Sequence, residues 1–284
     1  MKVAILTDSG ANLSLEFMDA NPNLFVLPLI INVDGKGFRD QVELDANSVY
    51  EKIDTHNIST SLPDSGDLLK VLNKIVAEGY SDVLAINISS GLSGTFNAFR
   101  LVFEDFVGLN ITHYDSKTLG YGLGMLVEEA LLALKSKTDI PTIIKQLDKM
   151  RYEDSVAMYT INTLKYLRKG GRIGKVEGTI ADIVNIKPVI TVNNEGVYVT
   201  IAKPFGMKRA LLAMKNILVD KFGANLIDLV VHYGNNPVHA LELGEKLRAF
   251  LKIRNLSISQ LTPVLGVHTG PDMFAYVAHR VTTA

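Results

Sequence analysis

The sequence predicts an α/β protein of two domains: a doubly wound, mainly parallel N-terminal sheet over residues 1–157 and an α+β domain over residues 158–284. Three observations carry this. Short apolar runs alternate with helical periodicity across roughly the first 155 residues, as in parallel sheets covered on both faces. Beyond that stretch the pattern changes to a hairpin, two long amphipathic helices and further strands. A chain of 284 residues is also long for a single hydrophobic core.

The elements follow in order. Val3-Ala4-Ile5-Leu6 is a short buried strand that ends in Thr7-Asp8-Ser9-Gly10, and the C-terminal ends of such strands are where these folds place ligands. Phe25–Val33 is the next strand, with Pro28 marking an edge or a bulge. A helix over Ala46–Ile53 and a hydroxyl-rich loop over Ser59–Asp67 lead to a helix over Leu68–Ala77, with Pro63 suited to its first turn. Val83-Leu84-Ala85-Ile86 then enters Asn87-Ile88-Ser89-Ser90-Gly91-Leu92-Ser93-Gly94, and an amphipathic helix runs from Thr95 to about Phe106. Ser93 falls at or near the N-cap, where free N–H groups and the helix dipole suit an anion. Ile111–Ser116 is a fourth strand, and a long helix follows through Ala133. Gly120, Gly122 and Gly124 lack the spacing of a dinucleotide fingerprint, because Met125 and Val127 stand where its last glycine belongs; close helix packing explains them better. A helix over Pro141–Met150 completes this half.

In the second half, Pro188–Val192 and Val197–Ile201 flank a glycine-containing turn and form an antiparallel hairpin. Helices near Lys208–Lys221 and Pro237–Leu251 accompany strands over Asp228–Tyr233, Ile258–Val267 and Met273–Val281.

Composition narrows the function. Lysine and arginine number 29 against 30 acidic residues, so there is no basic footprint for nucleic acid. The absence of cysteine removes disulfides, thiolate catalysis and cysteine-based metal sites, and no histidine spacing suggests a metal. The N-terminus meets Asp8 after four apolar residues, unlike a signal peptide, and no apolar run is long enough to span a bilayer; a cytoplasmic location is expected.

Three segments carry candidate chemistry. Gly91-Leu92-Ser93-Gly94-Thr95 approaches the hydrolase elbow but has Thr95 in place of its last glycine, and His268 is available as a base. Arg168-Lys169-Gly170-Gly171-Arg172 is the start of the densest basic segment. It suits a helix C-terminus capped by Gly170, while Arg168 and Arg172, four apart, also suit a phosphate or carboxylate. His268 lies at the end of an apolar run and before Gly270-Pro271, a turn able to fix its orientation.

Taken together, Thr7-Asp8-Ser9, Thr60-Ser61-Leu62-Pro63, Ser89–Thr95, Asp115-Ser116, Tyr166–Ile173, Lys187-Pro188 and His268–Pro271 resemble the DegV family from end to end. These are bacterial fatty-acid-binding proteins that include the FakB subunits of fatty acid kinase. The resemblance implies a fatty acid with its tail buried and its carboxylate held between the two domains by Thr60 and Ser93. Ser61, Gly94 and Thr95 would line the same spot, and the family's histidine and basic motif fall on His268, Arg168 and Arg172. It also implies a long-chain fatty acid as the only ligand, with no cofactor. A separate ATP-binding kinase subunit would form acyl phosphate on the carried acid, and an acyltransferase of phospholipid synthesis would consume it. Membrane contact would be transient at most. Leu62 and Asp272 depart from the family's pattern, which bears on specificity. The reading from another class is a serine-dependent esterase or thioesterase using Ser93.

Overall fold

The computed structural model describes residues 2–177 and 185–281. The chain begins β1 (Val3–Asp8), α1 (Leu15–Asp19), β2 (Leu24–Leu27), β3 (Ile30–Val33), β4 (Lys36–Arg39), α2 (Ala46–Lys52), β5 (Ile58–Ser61), α3 (Ser65–Ala77), β6 (Asp82–Asn87) and α4 (Thr95–Asp105). It continues with β7 (Asn110–Asp115), α5 (Tyr121–Lys135), α6 (Ile140–Lys149), β8 (Ser155–Ile161), α7 (Lys165–Lys169) and α8 (Gly174–Glu177). Then come β9 (Val189–Val192), β10 (Tyr198–Ala202), α9 (Met207–Phe222), β11 (Leu226–Tyr233), α10 (Pro237–Leu247), β12 (Lys252–Gln260), α11 (Pro263–Thr269) and β13 (Met273–Arg280).

Two large sheets organise these elements. The first is four-stranded and wholly parallel, in the order β2-β1-β6-β7. Ala4, Leu6, Val83 and Ala85 point to one face, under α3 and α4; Ile5, Leu84 and Ile86 point to the other, against α5 and α6. That period-2 alternation on strands buried on both sides is what a doubly wound sheet requires. The second sheet is mixed and six-stranded, in the order β10-β9-β8-β13-β11-β12. Met158, Phe274, Tyr276, Leu229 and Val231 pack under α9 and α10, whereas Tyr159, Ile161, Ile190, Ala275 and Val277 join the core that extends from α5 and α6. The fold is therefore α/β with a parallel sheet and a separate mixed sheet, as the sequence predicts. β8 spans the 157/158 position and lies wholly in the second sheet.

Four local expectations change. Phe25–Val33 is two strands rather than one: β2 ends at Leu27, and after Pro28 the Leu29 N–H donates to Ser9 Oγ at 3.0 Å, sending β3 into a third, antiparallel sheet of order β4-β3-β5. The hydroxyl-rich loop begins as strand β5, because Ile58–Ser61 pairs with β3; α3 then starts at Ser65 with Asp64 as its cap, so Pro63 precedes the cap. The strand predicted over Ile258–Val267 stops at Gln260, and Pro263–Thr269 is the buried helix α11, with proline in its first turn. A short apolar run such as Val264–Val267 fits either state by pattern alone. The helix from Pro237 ends at Leu247, short of Leu251.

The start of α11 is tied to the first half of the chain. Val264 N donates to Asp40 Oδ1 at 2.9 Å and Thr262 N donates to Asn12 Oδ1 at 2.7 Å. Asp40 is 1% exposed, and burial pushes its carboxyl up to about 7. Folded Asp40 thus keeps its proton between about pH 4 and 7, where the unfolded chain has lost it, and this group's stabilising contribution fades as pH rises through that window. The Asp40→Asn variant, which keeps the acceptor without the charge, is expected to gain on the parent as pH rises from 4 to 8. Thermal melts across that range should show the variant-minus-parent difference in Tm growing by at least about 2 °C; a constant difference would mean that Asp40 titrates normally.

Candidate functional site

The strand order of the parallel sheet reverses direction between β1 and β6, the switch point where open α/β sheets bind ligands at the strand ends. Here the chain fills the crevice with its own carboxylate. Asp8, fully buried at the end of β1, accepts from Gly10 N at 2.9 Å, Asn87 Nδ2 at 2.8 Å and Ile88 N at 2.9 Å. The turn after β6 is thereby fixed to β1. The hairpin of β9 and β10 closes over the same turn: Ser89 Oγ donates to Gly196 O at 2.7 Å, and Gly196 has φ +83°. Gly91 lies so close to that carbonyl that a Cβ would stand 2.5 Å from it, which explains the glycine.

Beside this turn is a cavity of about 240 Å³. Its walls come from the six-stranded sheet, from the turns that follow β2, β6 and β7 of the parallel sheet, from β5 and from α11. Leu29, Ile88, Leu92, Leu119, Met273 and Val277 are among its apolar lining, and Thr60, Ser61, Ser93, Arg172 and His268 all reach it. Five of the predicted site residues, drawn from positions 60 to 268, therefore meet at one cavity. The other three stand back from it. Thr95 is buried and bonds Ser93 through Oγ1 at 2.8 Å; Gly94 is the N-cap of α4 and abuts Leu62; Arg168 is exposed on α7. Ser93 is thus one residue before the cap, yet its Oγ still accepts from Thr95 N at 3.2 Å.

The polar groups form connected pairs. Thr60 Oγ1 and His268 Nε2 are 2.8 Å apart, and Ser61 Oγ accepts from Asn32 Nδ2 at 3.1 Å. His268 sits in the last turn of α11, not at a strand end, and its Nδ1, which faces Gly170, has no hydrogen-bond partner among the described residues. Any side chain at 170 would overlap that imidazole, so the Gly170 of the basic segment makes room for His268 as well as capping α7. Burial, with the Arg172 charge acting in the same sense, pushes His268 down to about 4, so the ring is neutral at pH 7. The Arg172 guanidinium donates to Gly170 O at 2.6 Å and Leu92 O at 3.4 Å, which holds it against the cavity wall.

A hydrolase would need Ser93, a histidine and a carboxylate in sequence. Ser93 is bonded to Thr95, His268 is bonded to Thr60, and among the described residues no carboxylate hydrogen-bonds His268. Nor does any group of three histidine, aspartate or glutamate residues among them form a metal-ion site. No described helix is long and apolar enough to cross a membrane.

The family model of DegV, described as an uncharacterised protein family, matches residues 2–280. The chain belongs to the DegV family. A DegV domain-containing protein of Clostridium acetobutylicum is 35% identical over 279 residues, covering 98% of this chain and 99% of the relative. Among solved structures, a fatty-acid-binding DegV family protein from Thermus thermophilus superposes with a TM-score of 0.91 at 26% identity, over 99% of this chain and 100% of that one. A stearic-acid-binding protein from Eubacterium ventriosum gives a TM-score of 0.87 at 25% identity, over 99% and 98%.

Some lining residues escaped sequence reasoning. Tyr121, Tyr159, Tyr198 and His232 all face the cavity. The available signal was alternation: in β11, Ile227, Leu229 and Val231 pack toward α9 and α10, which leaves His232 for the opposite face.

Proposed function

We propose that this DegV protein is a fatty-acid carrier whose cavity takes a long acyl chain and whose carboxylate site is the cluster of Thr60, Ser61, Ser93, His268 and Arg172. The observation that carries this reading is the gathering of hydroxyl donors, a neutral histidine and a tethered arginine on one largely apolar cavity. The relatives of known ligand add support at matching architecture.

The energetics fit. A tail of about 15 methylene-sized groups at roughly 0.8 kcal/mol each supplies on the order of 12 kcal/mol before entropy costs. Its carboxylate loses several kcal/mol on leaving water unless it is hydrogen-bonded. If His268 donates Nε2–H to Thr60 Oγ1, the threonine proton is free to point at the carboxylate, and if Thr95 Oγ1–H donates to Ser93 Oγ, so is the Ser93 proton. The dipole of α4 and the Arg172 charge favour the anion further. Gly94 and Thr95 act through Ser93 in this scheme, and Arg168 lies outside the immediate carboxylate contact.

The carried acid, held between the half of the chain built on the parallel sheet and the half built on the six-stranded sheet, is offered to a separate ATP-dependent kinase subunit. The acyl phosphate then passes to an acyltransferase of phospholipid synthesis in the cytoplasm, and this chain contributes binding rather than catalysis. The polar cluster places the acid's reactive end apart from its buried tail, which suits transfer to a partner.

Mass spectrometry of protein purified from a bacterial host, native and after organic extraction, tests the carrier. One fatty acid per chain, released on extraction, is the expected result. A protein that emerges empty and fails to take up palmitate or oleate would overturn the reading.

A further inference from the structure

Away from the carboxylate cluster, two cavity-lining side chains, Tyr159 through its hydroxyl and His232 through Nε2, have a buried polar atom with no hydrogen-bond partner among the described residues, and of the two only the histidine nitrogen lacks a proton of its own. His232 is 1% exposed and lines the cavity from β11. Its Nδ1 lies 3.2 Å from Ser259 O, and a carbonyl only accepts, so Nδ1 carries the proton. Nε2 is then a bare acceptor, and it has no partner among the described residues. Burial pushes the ring down to about 4, which keeps it neutral at pH 7. The nearby Tyr121 ring, edge-on at 6.3 Å, offers no proton, because its hydroxyl donates to Glu128 Oε2 at 2.7 Å.

The position of His232 sets where a ligand would meet it. His232 pairs across the sheet with Ala275, and Ala275 with Tyr159, so two strand spacings, about 10 Å, separate His232 from Tyr159. Tyr159 packs edge-on with Tyr198, which feels the Arg172 charge. His232 thus sits on the β11 side of the sheet, two strands from Tyr159, and among the described residues its ring bonds Ser259 O and no member of the carboxylate cluster.

From the unpartnered Nε2 in this cavity we infer that the protein prefers an acyl chain bearing a hydroxyl group remote from its carboxylate, the hydroxyl donating to His232. This rests on the fatty-acid reading and specifies its substrate class. An unsubstituted chain leaves the acceptor unmatched, whereas a hydroxyl at the right carbon satisfies both groups at once.

The test is a titration of the full chain with stearic acid and a series of monohydroxystearic acids differing in hydroxyl position. At least one positional isomer should bind about three- to tenfold more tightly than stearic acid. In His232→Leu that preference should vanish, so that the preferred isomer no longer binds more tightly than stearic acid. Because a buried substitution can impair folding, the parent alone supplies a second measurement. The His232 Nε2 nitrogen resonance should shift toward the hydrogen-bonded range with the preferred isomer and stay in place with stearic acid. If stearic acid binds but no isomer binds more tightly, or the resonance does not respond, the hydroxyl preference is wrong and the carrier reading stands. If neither stearic acid nor any isomer binds, the carrier reading falls and the preference with it.

Discussion

Replacing Thr60 or Ser93 by alanine is expected to weaken palmitate binding by about 1–3 kcal/mol in each case, roughly five- to 150-fold in Kd. Each change removes a hydroxyl donor from a charged acceptor that has left water, and the group left short of a partner sets the magnitude. The two losses should differ in character. Thr60 Oγ1 is bonded to His268 Nε2, so Thr60→Ala also strands a second nitrogen on an imidazole whose Nδ1 already has no partner among the described residues. Ser93→Ala leaves Thr95 N and Thr95 Oγ1 without the serine oxygen at the start of α4. Titration calorimetry on both variants, with circular dichroism to establish that they fold, measures the effect. Affinity unchanged in both would place the carboxylate elsewhere in the cavity.

The second large effect concerns stability. Asp8→Ala is expected to destabilise the protein by about 3–5 kcal/mol, because Gly10 N, Asn87 Nδ2 and Ile88 N are all left in a buried site without an acceptor. No water-exposed route relieves them, since Asp8, Asn87 and Gly10 are all buried. The consequence should extend to binding, because Asp8 fixes the turn that brings Ile88, Leu92 and Ser93 to the cavity. Urea denaturation of parent and variant tests the first part, and palmitate titration of the folded variant the second. A loss under about 1 kcal/mol would show that the crevice between β1 and β6 relaxes around the missing carboxylate.

Much of the architecture was legible in the sequence because local patterns and tertiary structure agree there. Runs such as Val3–Leu6 and Val83–Ile86 are apolar at every position, which suits a strand covered on both faces, and both are central parallel strands. The glycines at 122 and 124 were rightly assigned to packing: a Cβ on Gly124 would stand 2.5 Å from Ala11 O. The hairpin around Gly196 is equally clear, since two runs of β-branched and aromatic residues flank a turn that needs positive φ.

Other features had no local signature. Thr60 reads as part of a loop until β3 arrives to pair with it, and β3 exists because the chain leaves the parallel sheet after Pro28. His268 reads as a strand-end residue because Val264–Val267 fits a strand or a buried helix equally well, and Asp40 and Asn12 at the start of α11 favour the helix. His232 shows no motif at all; its interest comes from being the cavity-facing member of β11 with one nitrogen committed and the other bare.

The sequence by itself determined the α/β class, the buried strands, the hydroxyl and glycine turns, and the residue types fit to hold an anion, all of which depend on neighbours within a few positions along the chain. Only the tertiary structure decided that Thr60 and His268, 208 residues apart, share a hydrogen bond, that Gly170 yields its space to an imidazole, and that these groups border one apolar cavity. The reason is physical: periodicity and capping arise from local geometry, whereas a site is made by contacts between distant segments, which local pattern does not encode.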